Sequence, residues 1–280
     1  MRHLQIRLLK SHQDFLACER IQEMVWGRAG VSGEVLNVTQ KYGGAILGAI
    51  VKGKVVGFIY AFLARRHGKL IHWSHLMAVE PKFRDLGLGF RMKLAHRKIA
   101  LAAGLSAICW TYDPLQSRNA ALNIGRLGAR AEDYLPNCYG RFESAIEKGL
   151  ESDRFVVNWR IGSAAVERRL QDGRPHETQL VLLLKAERVN ETRLNAQGFP
   201  ENRRVRLNLS RPALLVEIPA ETDRMRVQAL NLARQWRLQT RKIFERYFGL
   251  GYRAEDFIPP SPASDGRCFY VLRRGRRTTA

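Results

Sequence analysis

Apolar and polar residues alternate along several short segments of the first 161 residues, and elsewhere apolar residues recur at every third or fourth position. Alternation and short apolar runs are typical of β-strands, whereas the longer spacing is typical of helices that bury one face. The pattern predicts strands at residues 3–11, 45–51, 55–63, 70–79, 106–112, 129–135 and 155–161. It predicts helices at residues 13–26, 88–103 and 118–127. The chain is therefore expected to form an α/β fold with a central sheet.

A ten-residue segment that follows the third helix recurs in the second half of the chain. Leu127–Pro136 and Leu250–Pro259 are identical at seven of ten positions, and each copy follows a segment of helical pattern. Either a common helix–glycine–strand junction has recurred by chance, or the second half is a degenerate copy of part of the first. We predict a first domain at residues 1–162 and a second at 163–280, with the boundary near Gly162–Gly173.

Composition and charge narrow the class of protein. The 280 residues are 45% hydrophobic and 26% charged, as in globular proteins. The net charge of +21 arises from 47 Lys and Arg against 26 Asp and Glu. Such an excess favours a polyanionic partner, either coenzyme A or nucleic acid, but it also fits a surface that is simply rich in arginine.

Targeting and redox signals point to the cytoplasm. The longest apolar stretch, Ala45–Ala64, is broken by Lys52-Gly53-Lys54, which predicts a hairpin and no membrane span. The first residues lead straight into a strand pattern, so we expect no signal peptide and no membrane partner. The four cysteines are scattered without a Cys-x-x-Cys pair, which argues against a zinc site or a disulfide framework. We therefore expect no metal.

The segment Arg84-Asp85-Leu86-Gly87-Leu88-Gly89 joins the strand that ends at Val79 to the helix that starts at residue 88. The first backbone N–H groups of a helix lack partners within it, and the helix dipole adds partial positive charge there. Glycines allow a bulky anion to approach, so the segment is suited to a diphosphate. It lacks the third glycine of a dinucleotide-binding loop and the Gly-Lys-Ser/Thr of a P-loop.

Residues 3–161 resemble the Gcn5-related N-acetyltransferase (GNAT) superfamily. The strand–loop–helix unit at residues 75–89 matches its R/Q-x-x-G-x-G/A pattern, and the helix from Asn119 to Gly128 resembles a second family segment. The order of elements is also similar, with residues 31–44 where the family has its second helix. Trp110–Leu115 together with Asn119, Ala120 and Asn123 resembles an uncharacterised bacterial branch of predicted acyltransferases.

The resemblance implies a GNAT-like mixed central sheet flanked by helices, followed by a second, smaller and degenerate GNAT-like half. It also implies that acetyl-CoA or another acyl-CoA is the co-substrate. The diphosphate would be held by Arg84, Leu86, Gly87, Leu88, Gly89 and Phe90. The backbone of Met77 and Val79 would pair with the pantetheine arm, Asn119 would touch the arm near the thioester, and a bulge at Val79 would offer an N–H to the oxyanion.

Acyl transfer to an amine requires a base for the ammonium and an acid for the leaving thiolate. His75 is our candidate base, because it matches the histidine of arylalkylamine-type acetyltransferases, although a backbone-bonded strand histidine would give the same sequence. The tyrosine that many family members use as the acid is replaced by Ile124. Tyr112 and Tyr139 are our candidate acids, with Tyr134 as a further substitute.

The sequence thus predicts a cytoplasmic acyl-CoA-dependent N-acyltransferase that moves an acetyl or succinyl group to a primary amine of a small molecule. The alternative is a non-catalytic acyl-CoA-binding or nucleic-acid-associated protein, motivated by the missing tyrosine, the net charge and the basic tail Arg273-Arg274-Gly275-Arg276-Arg277. The absence of a helix-turn-helix or zinc-finger pattern argues against nucleic acid. A homodimer is left open.

Overall fold

The computed structural model describes residues 4–140, 149–172, 181–183 and 185–275. Residue contacts group into two compact units, the first with residues up to 110 and 160–162, the second with most of the remaining chain. This grouping differs from the predicted domains 1–162 and 163–280, and the independent folding of either range stays a prediction. Gly173 of the predicted boundary, and Arg276 and Arg277 of the basic tail, lie outside the described residues.

The first unit contains a five-stranded mixed sheet in the order β1-β2-β3-β4-β5. Its strands are β1 Leu4–Leu8, β2 Ala45–Val51, β3 Lys54–Arg66, β4 Lys69–Val79 and β5 Ile108–Tyr112, the last two residues of which group with the second unit. Its helices are α1 His12–Trp26, α2 Gly33–Lys41 and α3 Leu88–Ala102. The pairs β1–β2, β2–β3 and β3–β4 are antiparallel, whereas β4 and β5 are parallel and joined through α3.

The two faces of this sheet bury different helices. On one face, Phe15 and Ile21 of α1 and Leu36 of α2 pack with Phe58 and Tyr60 of β3. On the other face, Leu88 and Met92 of α3 pack in a cluster of residues from β2 and β3: Ala45, Leu47, Ala49, Val56, Ile59 and Ala61. The sheet is therefore the middle layer of three, as expected for an α/β fold.

Helix α2 fills the region for which the sequence pattern gave no element. Only Gly33 and Leu36 of its nine residues are buried, and the apolar side chains of Val35 and Val38 are 48% and 55% exposed. Because α2 has nine residues and only three large apolar side chains, Val35, Leu36 and Val38, it is too short to show a recurring apolar spacing. By contrast, α1 was predicted from its apolar spacing. In the structure, Ser11 and Asp14 form a capping box at its start, and Gly27 ends it with φ of 79°.

The second unit contains the strand order β7-β6-β12-β13-β11-β8 and a separate hairpin of β9 and β10. Its strands are β6 Arg130–Leu135, β7 Arg154–Trp159, β8 Glu187–Arg188, β9 Asn190–Leu194, β10 Pro200–Val205, β11 Ala213–Ile218, β12 Tyr252–Ile258 and β13 Cys268–Arg274. Its helices are α4 Ser117–Ala120, α5 Ala164–Asp172, α6 Thr222–Gln228 and α7 Leu230–Gly249. The predicted helix 118–127 is α4 followed by a π-helical stretch, Ala121–Arg126.

The two copies of the sequence repeat meet at a local two-fold axis within the second unit. Strands β6 and β12 are antiparallel and pair at Ala131 and Ala254, which are equivalent positions of the repeat. Reciprocal ion pairs flank this point, Arg130 with Glu255 at 3.3 Å and Arg253 with Glu132 at 3.9 Å. Both copies also bulge at the same position, after Ala131 against β7 and after Ala254 against β13. The two repeated segments are therefore related in structure as well as in sequence, and a degenerate second copy stays a prediction.

The described residues after β8 do not repeat the loop and helix that follow β4 in the first unit. Strand β8 pairs in parallel with β11 over two residues, as β4 does with β5. The side chain of Asn190 then accepts a hydrogen bond from the Glu217 N–H at 2.8 Å and donates one to the Glu217 carbonyl at 3.0 Å. A hairpin follows where the first unit has its loop and α3. The Asn190 side chain thus bonds the backbone of Glu217, which lies in β11 just beyond the two residues that pair with β8.

Replacing Ala131 or Ala254 with leucine tests the two-fold axis. Both side chains are fully buried between neighbouring strands, so the larger side chain would overpack the pair and lower the free energy of unfolding by about 1–3 kcal/mol in either copy. Urea unfolding measures the effect. Arg253→Leu is the control, since its side chain is 44% exposed and its ion pair is long. If the leucine variants at positions 131 and 254 are as stable as Arg253→Leu, the close pairing of the two strands at the proposed axis is contradicted.

Candidate functional site

Strands β4 and β5 separate after a short parallel ladder in the first unit. The ladder pairs His72 with Ile108 and Trp73 with Cys109, and β4 then continues from Ser74 to Val79. Among the described residues, no strand pairs with that edge of β4. The result is a wedge between the strands, whose apex lies just past Trp73.

The hydrogen-bond pattern of β4 determines which backbone groups face the wedge. The N–H of Glu80 donates to the Val56 carbonyl at 2.9 Å, which makes these two residues a hydrogen-bonded pair. In an antiparallel ladder such pairs alternate with pairs whose N–H and C=O groups point away. Met77 pairs with Ile59 and Val79 with Gly57, so both Met77 and Val79 direct their backbone groups into the wedge. An extended ligand with amide groups could bind there as an added strand.

The bulge of β4 lies at His75. Ser74 pairs with Ala61 and Leu76 with Tyr60, which leaves His75 as the extra residue of the strand. The expected bulge at Val79 is wrong, because Val79 is in regular register with Gly57. A bulge leaves a residue outside the regular ladder and changes the direction of its side chain. His75 and Leu76 consequently lie on the same face of the sheet, the one that carries α1 and α2, and the His75 ring lies near Tyr60 and Phe62.

The loop after β4 opens at the start of α3. A 3-10 turn, Pro81–Phe83, leads into Asp85 and Gly87, which have φ of 61° and 74°. No heavy atom lies within 4 Å of the position that a Cβ on Gly87 would occupy, and the loop residues 84–87 are exposed. Leu88 and Gly89 supply the first two N–H groups of α3, which have no acceptor within a helix. The loop therefore presents backbone donors and open space to an anion.

Basic side chains surround this loop. Arg84 and Arg91 are exposed, and the Arg84 guanidinium donates through Nε to the Val79 carbonyl at 3.2 Å. Lys82 forms an ion pair with Glu80 at 3.1 Å. Together with the N-terminal end of α3, these groups make the mouth of the wedge electropositive.

His75 is exposed, and two aromatic rings flank it. The ring centroids of His75 and Tyr60 are 5.8 Å apart, edge to face, and those of His75 and Phe62 are 6.0 Å apart. Removal of water from part of the imidazole lowers the pKa of His75 below its ordinary value. The ring is consequently neutral at pH 7 and can accept a proton.

His72 lies on the opposite face of β4, as the alternation of a strand predicted. Its Nδ1 is 3.1 Å from Nε2 of His96 in α3, and its Nε2 is 3.0 Å from the Gly43 carbonyl. Burial lowers the pKa of His72, and it holds the pKa of His96 well below its usual range. Both rings are enclosed, so His72 is not placed to act on a substrate.

Sequence reasoning missed Lys93 of α3. The side chain of this lysine is almost fully buried, and its Nζ lies 3.1 Å from Ser74 Oγ. The available signal was a lysine among residues of the apolar face of α3, where Leu88, Met92 and His96 are buried. A charged residue on a buried face is unusual in a protein core.

The remaining predicted site residues belong to the second unit. The Tyr112 hydroxyl is buried 3.0 Å from that of Tyr270, and burial raises the pKa of Tyr112. The side chain of Tyr139 is 42% exposed, with its hydroxyl 3.0 Å from Thr111 Oγ1. Asn119 is half-buried in α4, and Ile124, which replaces the family tyrosine, is fully buried in the π-helical stretch.

The described residues contain neither a group placed to hold a metal ion nor a helix that could span a membrane. Within residues 4–140, 149–172, 181–183 and 185–275, no group of three or more His, Cys, Asp or Glu side chains is placed to hold a metal ion. In the same part of the chain, every helix is too short or too polar to cross a membrane.

Several solved structures resemble part of this chain. An acetyltransferase of the GNAT family from Streptococcus pneumoniae is 17% identical and covers 56% of this chain and 98% of its own, with a TM-score of 0.46. The ribosomal-protein-S18-alanine N-acetyltransferase from Escherichia coli is 16% identical over 58% and 96%, with a TM-score of 0.47. An N-acetyltransferase from Staphylococcus aureus Mu50 is 14% identical over 57% and 99%, with a TM-score of 0.45. No family model and no curated protein matches the sequence.

The strand pairing and helix positions of the first unit can be compared with the resemblance found in the sequence. Three antiparallel strand pairs lead into a fourth strand that bulges and then parts from a parallel fifth strand. Two helices cover one face between β1 and β2, and the glycine loop opens the crossover helix on the other. This arrangement is a mixed sheet flanked by helices, as the resemblance of the sequence to the GNAT superfamily implied.

Proposed function

We propose that this protein is an acyl-CoA-dependent N-acyltransferase, which moves an acetyl or succinyl group from a coenzyme A thioester to a primary amine of a small molecule. One observation carries the proposal. The edge of β4 that no described strand covers leads directly into an exposed loop, and the helix after it begins with N–H groups that have no acceptor within the helix. These are the two surfaces that a thioester on a pantetheine arm with a diphosphate would need, placed one after the other along the chain.

The pantetheine arm fits the edge of β4. The arm contains two amide groups on an extended chain, and each can exchange hydrogen bonds with a strand backbone. Met77 and Val79 direct their N–H and C=O groups to that side, although the Val79 carbonyl already accepts from Arg84. We therefore assign most of the arm's hydrogen bonding to Met77 and to the Val79 N–H.

The diphosphate fits the loop. Leu88 and Gly89 offer backbone N–H groups, Gly87 leaves space where a side chain would stand, and the exposed Arg84 adds a positive charge. Anions bind at helix N-termini because donors and dipole point the same way. Leu86 and Phe90 remain part of the predicted cradle through their backbone.

His75 is the proposed base. An amine arrives at neutral pH as an ammonium ion and must lose a proton before it can attack the thioester carbonyl. The His75 ring is neutral and exposed, and it sits at the bulge near the apex of the wedge. We propose that the backbone N–H at this bulge, in place of that of Val79, stabilises the oxyanion.

Tyr112, Tyr139 and Asn119 stay sequence predictions. The Tyr112 hydroxyl bonds to Tyr270, and its raised pKa makes it a weak acid, which argues against a role in proton transfer. Tyr139 is more exposed and so remains the better of the two candidate tyrosines.

Glutamate at position 87 should abolish binding of the donor. The side chain would fill the open space of the loop and place a negative charge against the diphosphate. Isothermal calorimetry with acetyl-CoA measures the loss, which we expect to exceed about 100-fold in Kd, the equivalent of about 2.7 kcal/mol. Gly68→Glu is a matched control, because Gly68 also has φ of 74° and open space around its Cβ position. Equal affinity of G87E and G68E would contradict the loop assignment.

Replacing His75 with asparagine should slow turnover without weakening donor binding. We expect kcat at pH 7 to fall about 100-fold, because the amine then loses its base, while the Kd for acetyl-CoA changes less than about threefold. The wild-type rate should also fall as the pH drops below 6.5, where His75 becomes protonated. His67→Asn, in the exposed turn before β4, is the control. A variant at position 75 with wild-type kcat would remove His75 as the base.

The overall test is release of free thiol from acetyl-CoA and succinyl-CoA against a panel of primary amines. Turnover with any pair supports the proposal and identifies the donor. Binding of a donor without turnover would indicate a non-catalytic acyl-CoA-binding protein. If neither donor binds and DNA is retained in gel shifts at physiological salt, the nucleic-acid alternative is correct.

A further inference from the structure

A buried lysine lies beneath the apex of the wedge. Lys93 projects from α3 and its side chain is 2% exposed. Its Nζ lies 3.1 Å from Ser74 Oγ and 3.7 Å from the centroid of the Trp110 ring. Trp73 and Cys109 form the last pair of the β4–β5 ladder, so Ser74 and Trp110 are the next residue on each strand. Lys93 thus bridges the two strands where they begin to part.

No carboxylate forms an ion pair with Lys93 among the described residues. A buried ammonium with only a hydroxyl and an aromatic face costs several kcal/mol in lost hydration, which the cation–π contact offsets in part. Burial accordingly lowers the pKa of Lys93 to about 7. Its amine can therefore change protonation state at neutral pH, which an exposed lysine does not do.

Few other titratable groups face Lys93. His96 lies one turn further along α3, and His72 of β4 is hydrogen-bonded to it. The residues that β2 and β3 pack against α3 are apolar, as are the β1 residues in the same cluster. Arg97 of α3 is directed to the Ile161 carbonyl, 2.7 Å from its Nε. Since burial keeps both histidines neutral, Lys93 carries the titratable charge of this region.

Ser74 connects Lys93 to the wedge. The N–H of His72 points toward β5, at 3.4 Å from the Ala107 carbonyl. Two residues further along the strand, the backbone of Ser74 points the same way. Ser74 precedes the bulge at His75, so it stands at the apex of the wedge, where an arm bound along β4 would end, and its hydroxyl is held there by Lys93.

We propose that Lys93, acting through the Ser74 hydroxyl, supplies the proton taken up by the leaving thiolate of the donor. This inference rests on the proposed acyl transfer and fills the role that the family tyrosine, replaced here by Ile124, would have. Ser74 touches the sulfur, and Lys93 is a positioning and proton-supplying residue behind it.

The proton balance of the step is complete. When the C–S bond breaks, its electron pair stays on sulfur. The sulfur takes the Ser74 hydroxyl proton as Ser74 Oγ takes one from the Lys93 ammonium, which becomes a neutral amine. His75 takes one proton from the ammonium before attack and passes it to solvent. The free amine then forms the C–N bond to the carbonyl carbon, and its nitrogen loses a second proton through His75 as the amide forms. Lys93 regains one proton from solvent, so each turnover releases one proton in total.

The test compares Lys93→Met, Lys93→Arg and Ser74→Ala with Lys98→Met, an exposed lysine of the same helix. We expect single-turnover rates at pH 7 to fall at least about 100-fold in the first three, with the Kd for acetyl-CoA within about threefold of wild type. The wild-type rate should decline above pH 7, because the acid is lost as Lys93 deprotonates. That decline should vanish in K93M and S74A. Methionine has similar length and no charge, so K93M should fold with undiminished thermal stability.

A second readout does not depend on activity. The ¹³Cε resonance of Lys93, assigned by its absence in K93M, should titrate near pH 7 and shift when coenzyme A is added. The resonance of the exposed Lys98 should not shift with coenzyme A. Wild-type rates in K93M and S74A with the alkaline decline retained would overturn the inference and leave the acyl transfer intact. Full rescue by arginine would also overturn it, since a guanidinium keeps its proton. Failure of wild type to bind any donor would instead remove the proposed function.

Discussion

The parting of β4 and β5 is the constraint on which the rest of the first unit depends. A strand edge inside a sheet normally satisfies its backbone groups with a neighbour, and groups left without one cost free energy unless water or a ligand binds them. Here β4 runs on from Ser74 to Val79, and no strand of the described residues pairs with its edge on the β5 side. The bulge at His75 lies on this edge, Lys93 of α3 contacts its first residue, Ser74, and the loop at Gly87 follows its end. A ligand that completes the strand would therefore meet each of them in turn.

Much of the fold could be predicted from local sequence patterns. The R-x-x-G-x-G loop was predicted between a strand and a helix, and in the structure α3 begins directly after Gly87, which adopts a left-handed conformation. Helix α2 could not be predicted, since its nine residues are too few to show a recurring apolar spacing. The bulge was expected at Val79 and lies at His75, because pairing register depends on the partner strand, which one sequence segment does not reveal.

In the candidate site too, residues of a contiguous motif could be predicted, whereas residues whose role depends on tertiary contacts could not. Met77 and Gly87 follow from a motif that is contiguous in sequence, and their surroundings suit the predicted role. Lys93 escaped notice because its meaning comes from burial and from Ser74 and Trp110, which are distant in the sequence. The repeat is a contrasting case. Sequence identity indicated it and left chance recurrence open, and in the structure reciprocal ion pairs flank the paired Ala131 and Ala254.

Amide hydrogen exchange in the presence and absence of coenzyme A tests the central claim most directly, because it reports the backbone groups themselves. The account predicts slower exchange at the N–H groups of Met77, Val79, Leu88 and Gly89, which face the wedge or open α3. The amides near Asn190 in the second copy should exchange at unchanged rates. Unaltered exchange along β4 and the loop, or protection confined to the second copy, would contradict it.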